Sequence, residues 1–354
     1  SFDARPIIDS MGKMSFTSRD LANATKIYNQ MLEDKDCTIF LVIAGSTSAG
    51  GCMDLYAELI RSNMVDCVVA TGATIVDMDF FEGLGHKHYQ ALEVPDDDTL
   101  RSLYIDRIYD TYIDEEQLQD CDFTINKIAN SLPPGPYSSR AFIREMGKYL
   151  VEHGKKDNSL VKLAYEHDVP IFCPAFTDSS AGFGLVKHQV DRMKAGKPYM
   201  TIDSIADFRE LTDIKIAAGT TGLFMVGGGV PKNFAQDTVV CAEILGEEVP
   251  MHAYAVQITV ADVRDGACSS STLRCTFRCS AWLAAICASS SSRPACNLAI
   301  SAASPPDEPQ APEKDCAVVA ASRPDTDARG GPSPLSSSAR GGAPANVARR
   351  FDFA

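Results

Sequence analysis

Apolar residues along this chain follow two alternating rhythms. Residues 18–32, SRDLANATKIYNQML, place Leu21, Ala24, Ile27, Tyr28, Met31 and Leu32 at helical spacing, predicting a helix capped by Ser18. CTIFLVIAG (37–45) is an unbroken apolar run rich in β-branched residues, predicting a strand buried on both faces. MDLYAELIRSNM reads as a second helix, and DCVVATGA (66–73) as a second strand. HDVPIFCPAF (167–176), GLFMVGGG (222–229) and YAVQITVA (254–261) predict further strands, each separated by amphipathic helical text. This alternation predicts an α/β fold: a doubly wound, mostly parallel sheet with helices on both faces, Rossmann-like in plan. In such sheets ligands bind outside the carboxyl ends of the strands.

Those ends carry small residues. GSTSAGG (45–51), TGATIVD (71–77), FTDSSAGFG (176–184) and GGGVPKN (227–233) each follow a predicted strand. Small side chains let a backbone approach a ligand, helix N-termini offer N–H donors to phosphate, and Pro231 suits a first helical turn. Any one of these loops is a plain tight turn by itself; four at successive strand ends predict a dinucleotide-sized site. The first strand-turn-helix has no G-x-G-x-x-G, and the chain has no P-loop and no G-x-S-x-G. His86 and His88 in GHKHY read as a partly exposed loop pair, and no metal site is expected.

Composition narrows the partners. The 354 residues, 45% of them hydrophobic, can bury a sizeable core, and the net charge of −14 argues against nucleic acid and anionic membrane surfaces. Cationic partners such as polyamines fit that charge. No apolar run reaches membrane-spanning length, and SFDARPIIDSMGKMSF lacks the features of a secretory leader, so a cytoplasmic protein is expected. Cys37, Cys52, Cys67, Cys121, Cys173, Cys241 and Cys268 are scattered singly, the pattern of free thiols rather than disulfides.

CTIFLVIAGSTSAGG, NMVDCVVATGATIVDMDFFEGLGHKHY, PIFCPAFTDSSAGFG, GLFMVGGGVPKNF and YAVQITVADVRDGACSSSTL carry a resemblance. Together they resemble the deoxyhypusine synthase family, and more closely its bacterial deoxyhypusine-synthase-like branch, some members of which make homospermidine. The resemblance runs from about residue 5 to residue 273. It implies a cytoplasmic, NAD-dependent aminobutyl transferase, usually a homotetramer with sites shared between paired subunits. In that chemistry NAD takes a hydride from spermidine, diaminopropane leaves, and the butylimine passes through an enzyme lysine to an acceptor. The acceptor is a lysine of a translation factor, or putrescine in the homospermidine-forming relatives.

The resemblance places NAD on Gly45, Ser46, Thr47, Ser48 and Ala49, on Thr71, Gly72 and Ala73, and on Asp77, Asp178, Gly228, Val260 and Ala261. It places the amine substrate on Asp77, Asn233, Gly266 and Cys268. A carboxylate at a strand end suits a ribose hydroxyl or an ammonium, although helix capping is the plainer role for Asp77 and Asp178. The eukaryotic members carry two adjacent acids where this chain has Val76 and Asp77, and another acid in place of Phe183. They have a histidine in place of Asn233, and Gly-Ser-Asp in place of Gly266, Ala267 and Cys268. The acceptor and the exact amine therefore stay open.

The text then changes character. Residues 1–273 are expected to form the NAD-binding domain. Residues 274–354 hold 18 Ala, 12 Ser, 9 Pro and 8 Arg among 81, with one Lys and no Tyr, the composition of a disordered low-complexity tail. Where the family continues into Ser-Trp-Gly-Lys, whose lysine is the covalent nucleophile, this chain reads RCTFRCSAWLAAIC. Trp282 has no lysine after it until Lys314. A shifted reading frame after about residue 273 is the expected cause, with a genuine flexible tail as the alternative; the missing lysine predicts impaired transfer, and the missing closing elements predict an uncovered sheet edge. A non-catalytic NAD-binding subunit within a mixed oligomer is the alternative outside enzymology.

Overall fold

The computed structural model describes residues 3–91 and 96–261 together with the backbone of 316–320. Eleven strands lie among these residues. In chain order they are β1 (Cys37–Ile43), β2 (Cys67–Ala70), β3 (Tyr89–Gln90), β4 (Ile105–Ile108), β5 (Thr111–Asp114) and β6 (Gly135–Tyr137). After them come β7 (Ile171–Phe172), β8 (Met200–Ile202), β9 (Thr220–Val226), β10 (Tyr254–Thr259) and β11 (Cys316–Ala320). Six form one sheet in the order β11-β10-β9-β1-β2-β7, and every pairing within it is parallel. β3, β5 and β4 make a small antiparallel ribbon, and β6 pairs with β8.

β1 sits in the middle because its side chains are apolar on both faces. Ile39, Leu41 and Ile43 pack with Ile27 and Met31 of the helix Thr17–Glu33 and with Tyr56 and Ile60 of the helix Met53–Arg61. Phe40 and Val42 pack on the other face with Leu211 and Ile214 of the helix Ser204–Ala218 and Ala235 of the helix Gly229–Gln236. Burying each such side chain is worth about 1.5–3 kcal/mol. From β1 the chain winds outward through β2 to β7, then returns to the other side of β1 as β9 and continues to β10. The winding reverses between β1 and β9, which pair from Cys37 with Thr220 through Ile43 with Val226. The doubly wound parallel architecture read from the sequence is the one observed.

Two buried aspartates fix the helices around β7. Asp79 accepts hydrogen bonds from Ser159 Oγ (2.7 Å), Leu160 N (2.7 Å) and Val161 N (2.9 Å), capping the helix Leu160–Glu166 from a distant segment. Asp207 accepts from Ser139 N and Oγ, both at 2.9 Å, and from Arg140 N at 3.2 Å, doing the same for the helix Ser139–His153. Burial pushes both carboxyls up to about 6 despite these donors.

Several expectations need correction. The first long helix begins at Thr17, behind Phe16 at φ 56°, and no side chain caps it; Ser18 lies inside its first turn. The strand predicted over 167–176 shrinks to Ile171–Phe172, because Pro170 and Pro174 cannot donate to a ladder. The edge of β10 is not left uncovered: β11 pairs with it from Ala255 with Cys316 to Thr259 with Ala320. CAVVA, a short apolar run inside the tail, supplies that strand. The rest of the tail, Trp282 included, lies outside the described residues. Among the described residues, six cysteines form no disulfide, and Cys37, Cys67, Cys121 and Cys173 are buried. None of their helices is long and apolar enough to cross a membrane.

Candidate functional site

Parallel pairing puts the ends of β1, β2, β7, β9 and β10 along one edge of the sheet, so the loops that follow them converge. β1 hands over to Ala44, whose N–H donates to Val226 O at 2.9 Å, and then to Gly45 at φ 79°. Gly45 O accepts from Thr74 Oγ1 at 2.7 Å, which ties the first loop to the second. Thr47 Oγ1 lies 2.7 Å from Tyr56 OH, anchoring the first loop to the helix below it. Ser46 and Ala49 lie in the same loop as Ser48. Ser48 is 3% exposed, and its hydroxyl has no hydrogen-bond partner among the described residues. An orphaned hydroxyl in a loop of small residues at a strand end is what an absent polar ligand would satisfy.

The second loop is fixed by close approach. A Cβ on Gly72 would stand 2.5 Å from Ser179 Cβ, so only glycine lets the 71–73 turn meet the 178–180 turn. Gly227 is constrained in the same way, since a Cβ there would lie 2.8 Å from Ala44 O. Gly45 and Gly229 differ: nothing stands within 4 Å of their Cβ positions, which leaves the backbone open at the point where the winding reverses. Gly228 between them has φ −171°, an extended geometry open to any residue. Thr71 and Ala73 flank Gly72, with Thr71 Oγ1 3.1 Å from Thr74 Oγ1.

The acid groups gather next to this turn. Asp77 Oδ1 accepts from Ser180 N at 2.7 Å, so it caps the first turn of the helix Ser180–Lys194. Burial, opposed by that bond and reinforced by the Asp122 and Asp178 carboxylates, pushes Asp77 up to about 6. Asp122, on the helix Glu115–Ser131, is also pushed up by burial, and its Oδ1 is sealed from solvent with no partner among the described residues. Asp178 is exposed at the rim. Among the described residues no cation pairs with Asp77, Asp122 or Asp178, and an ammonium would relieve them.

The structure therefore brings together Gly45 to Ala49, Thr71 to Ala73, Asp77, Asp178 and Gly228. The capping role weighed for Asp77 is real, and it coexists with the acid cluster. Asn233 sits one turn inside the helix Gly229–Gln236. Val260 is 77% exposed just beyond β10, and Ala261 N donates to Thr259 Oγ1 at 3.0 Å. Gly266 and Cys268 lie outside the described residues. Asp122 and Ser180 are additions that the sequence reading did not contain. The histidine pair is partly exposed, as expected, and each ring faces a carboxylate: His88 Nδ1 lies 2.7 Å from Glu82 Oε1, and His86 Nε2 lies 3.2 Å from Asp120 Oδ2. A cavity of about 450 Å³ opens not here but at the opposite, amino edge of the sheet.

The deoxyhypusine synthase family model matches residues 6–277. The chain belongs to the deoxyhypusine synthase family. It is 72% identical over 274 residues to a deoxyhypusine synthase-like protein of Coxiella burnetii, covering 77% of each chain. A Caulobacter vibrioides protein of the same name is 70% identical over 275 residues, 77% of this chain and 75% of that one. "Probable deoxyhypusine synthase 2" of Methanosarcina mazei is 40% identical over 271 residues, 77% and 76% of the two chains. Among solved structures, one from Entamoeba histolytica assigned to deoxyhypusine synthase shares the fold, with TM-score 0.53 and 18% identity over 79% of this chain and 96% of that one. The family resemblance read from the five strand-end segments is thereby established, and a transferase class follows from it.

Proposed function

We propose that this deoxyhypusine-synthase-like chain binds NAD and spermidine, or a related polyamine, at the carboxyl edge of its sheet. Its inherited reaction is transfer of the 4-aminobutyl group to an acceptor amine, a translation-factor lysine. The observation that carries the reading is the pairing of open backbone at Gly45 and Gly229 with the carboxylates Asp77 and Asp122, which pair with no cation among the described residues. The first feature suits a nucleotide backbone; the second suits an alkylammonium.

The nucleotide would lie on Gly45 to Ala49, Thr71 to Ala73 and Gly228, with Ser48 Oγ as a buried donor and Asp178 at the rim. When bound, NAD supplies a hydride acceptor. Asp77 and Asp122 hold an ammonium of the amine and orient the carbon to be oxidised. Ser180 holds Asp77 in place through its N–H. Covalent transfer requires an amine nucleophile, and no lysine follows Trp282 before Lys314. That observation favours a chain that binds both ligands and transfers poorly, or one that serves as an NAD-binding subunit of a homo-oligomer or mixed oligomer. Homospermidine-type transfer to putrescine is the neighbouring enzyme reading.

The test separates binding from transfer. Purified protein is titrated with NAD, followed by thermal shift, and then incubated with NAD and spermidine while NADH absorbance and diaminopropane release are recorded. NAD stabilisation with little diaminopropane supports the proposal; a folded protein that gains no stability from NAD overturns it. Adding putrescine or the protein acceptor then decides between the two transfer readings.

A further inference from the structure

Thr74 is fully buried just past the end of β2, yet its hydroxyl acts on a different loop. Thr74 Oγ1 donates to Gly45 O at 2.7 Å. A carbonyl only accepts, so the single hydroxyl proton of Thr74 is committed there. The contact between Thr71 Oγ1 and Thr74 Oγ1 at 3.1 Å then has Thr71 as its donor, while Thr74 N donates back to Thr71 Oγ1 at 3.4 Å. The order of protons is thereby fixed from Thr71 to Thr74 to Gly45. The base of this relay is itself tied down, since Thr71 N donates to Ile43 O and Ile75 N to Thr71 O, both at 3.2 Å.

What the relay holds is a peptide group that little else orients. Gly45 lies in the left-handed region at φ 79°, and no atom stands within 4 Å of the position its Cβ would take. On one side Ala44 N is bonded to Val226 O; on the other Thr47 Oγ1 meets Tyr56 OH. The 45–46 peptide links these two anchors. It is trans, so its C=O and N–H point in opposite directions. With Gly45 O drawn onto Thr74, Ser46 N–H faces the other way, and it donates to no group among the described residues. Ser46 is half-buried, and the orphaned Ser48 hydroxyl lies in the same turn. Two donors without acceptors in one small-residue turn suit the oxygens of a ligand.

We propose that Thr74 is a positioning residue for nucleotide binding: its hydroxyl holds the 45–46 peptide so that Ser46 N–H, beside Ser48 Oγ, meets oxygens of the dinucleotide. Thr74 itself touches no ligand. The inference rests on the NAD reading of the carboxyl edge and adds the group that keeps its first loop in the binding orientation. Without the hydroxyl, glycine leaves this peptide free to turn over, which sets Gly45 O where Ser46 N–H had been. A carbonyl oxygen then faces the ligand's oxygens, and affinity falls although the fold survives.

Calorimetric titration of the whole chain with NAD, beside urea unfolding of the same proteins, tests this with three variants. Thr74→Ser keeps the hydroxyl and should bind NAD within about twofold of the unsubstituted chain. Thr74→Val matches the shape without the hydroxyl and should bind at least about tenfold more weakly at a temperature where it is folded. Thr74→Ala removes the same group and decides the matter if Thr74→Val does not fold. A Thr74 that served the fold alone would lower the unfolding midpoint and leave NAD affinity where it was. Unchanged affinity in a folded Thr74→Val or Thr74→Ala therefore overturns the positioning role, as does a Thr74→Ser that binds no better than they do. An unsubstituted chain that is folded and binds no NAD brings down the nucleotide reading and this inference with it. Equal binding by chain and variants brings down this inference alone, so the two failures are distinguishable.

Discussion

Asp77 and Asp79 stand two residues apart, both removed from water and both pushed up to about 6, yet they do different work. Asp79 is saturated, with three donors from a single helix start. Asp77 is held by Ser180 alone, through its N–H and its side chain, and has the Asp122 and Asp178 carboxylates nearby. Burial is the main cause of both shifts, but the roles differ: Asp79 organises the fold, and Asp77 is proposed to meet an external ammonium. The ligand-seeking residue is recognised by its unmet valence rather than by its pKa.

The sharpest way to break this contrast is Asp79→Ala. It strands Ser159 Oγ and two helix-start N–H groups in the core, and should cost about 3–5 kcal/mol in urea unfolding. A loss under about 1 kcal/mol would show that the cap is not structural. Gly72→Ala comes next: its Cβ meets Ser179, so about 1–3 kcal/mol is expected along with loss of NAD-induced stabilisation. If NAD still protects this variant fully, the 71–73 turn does not touch the nucleotide.

Lys215 gives a subtler contrast on the far side of β9. It is fully buried, with Nζ donating to Thr221 Oγ1 at 2.9 Å, and burial lowers its pKa to about 8. The fold therefore prefers it neutral: its penalty is complete below pH 8 and fades as pH rises from 8 toward the ordinary lysine value. Lys215→Met should raise stability at pH 7 by about 1–2 kcal/mol and remove that pH dependence. Equal melting temperatures for the two proteins at pH 7 and a parallel response up to pH 10 would contradict this. The smallest effect belongs to Asp77→Asn, which should change stability at pH 7 by less than about 1 kcal/mol, because it trades one hydrogen bond against relief from Asp122. The same variant should lose the spermidine-dependent signal, and retention of that signal would return Asp77 to a purely capping role.

Much of this was legible in the chain. CTIFLVIAG, GLFMV and YAVQIT are apolar at nearly every position, interrupted only by Thr38, Gln257 and Thr259, and that marks central parallel strands. The strand-end glycines marked the candidate site in the sequence, and at Gly72 and Gly227 the packing leaves no room for a side chain. What could not be read were contacts that the tertiary packing creates. Asp79 reaches Ser159 across 80 residues, and Asp207 reaches Ser139 across 68. Asp122 looks like any surface acid in EEQLQDCDFTINK, and joins the site only because its helix packs against Ser180–Lys194. Ser18 failed as a cap because Phe16 turns the chain into the helix two residues sooner.

The placement of β1 between β2 and β9 has a consequence in time as well as space. As the chain leaves the ribosome, β1 can pair with β2 almost at once, but its other flank waits for residues 220–226. Throughout that interval an all-apolar strand carries a bare row of amides, which invites pairing with a neighbouring nascent chain. Production of this protein should therefore depend more on how quickly β9 arrives, and on chaperones guarding β1 until then, than on the stability of the finished sheet.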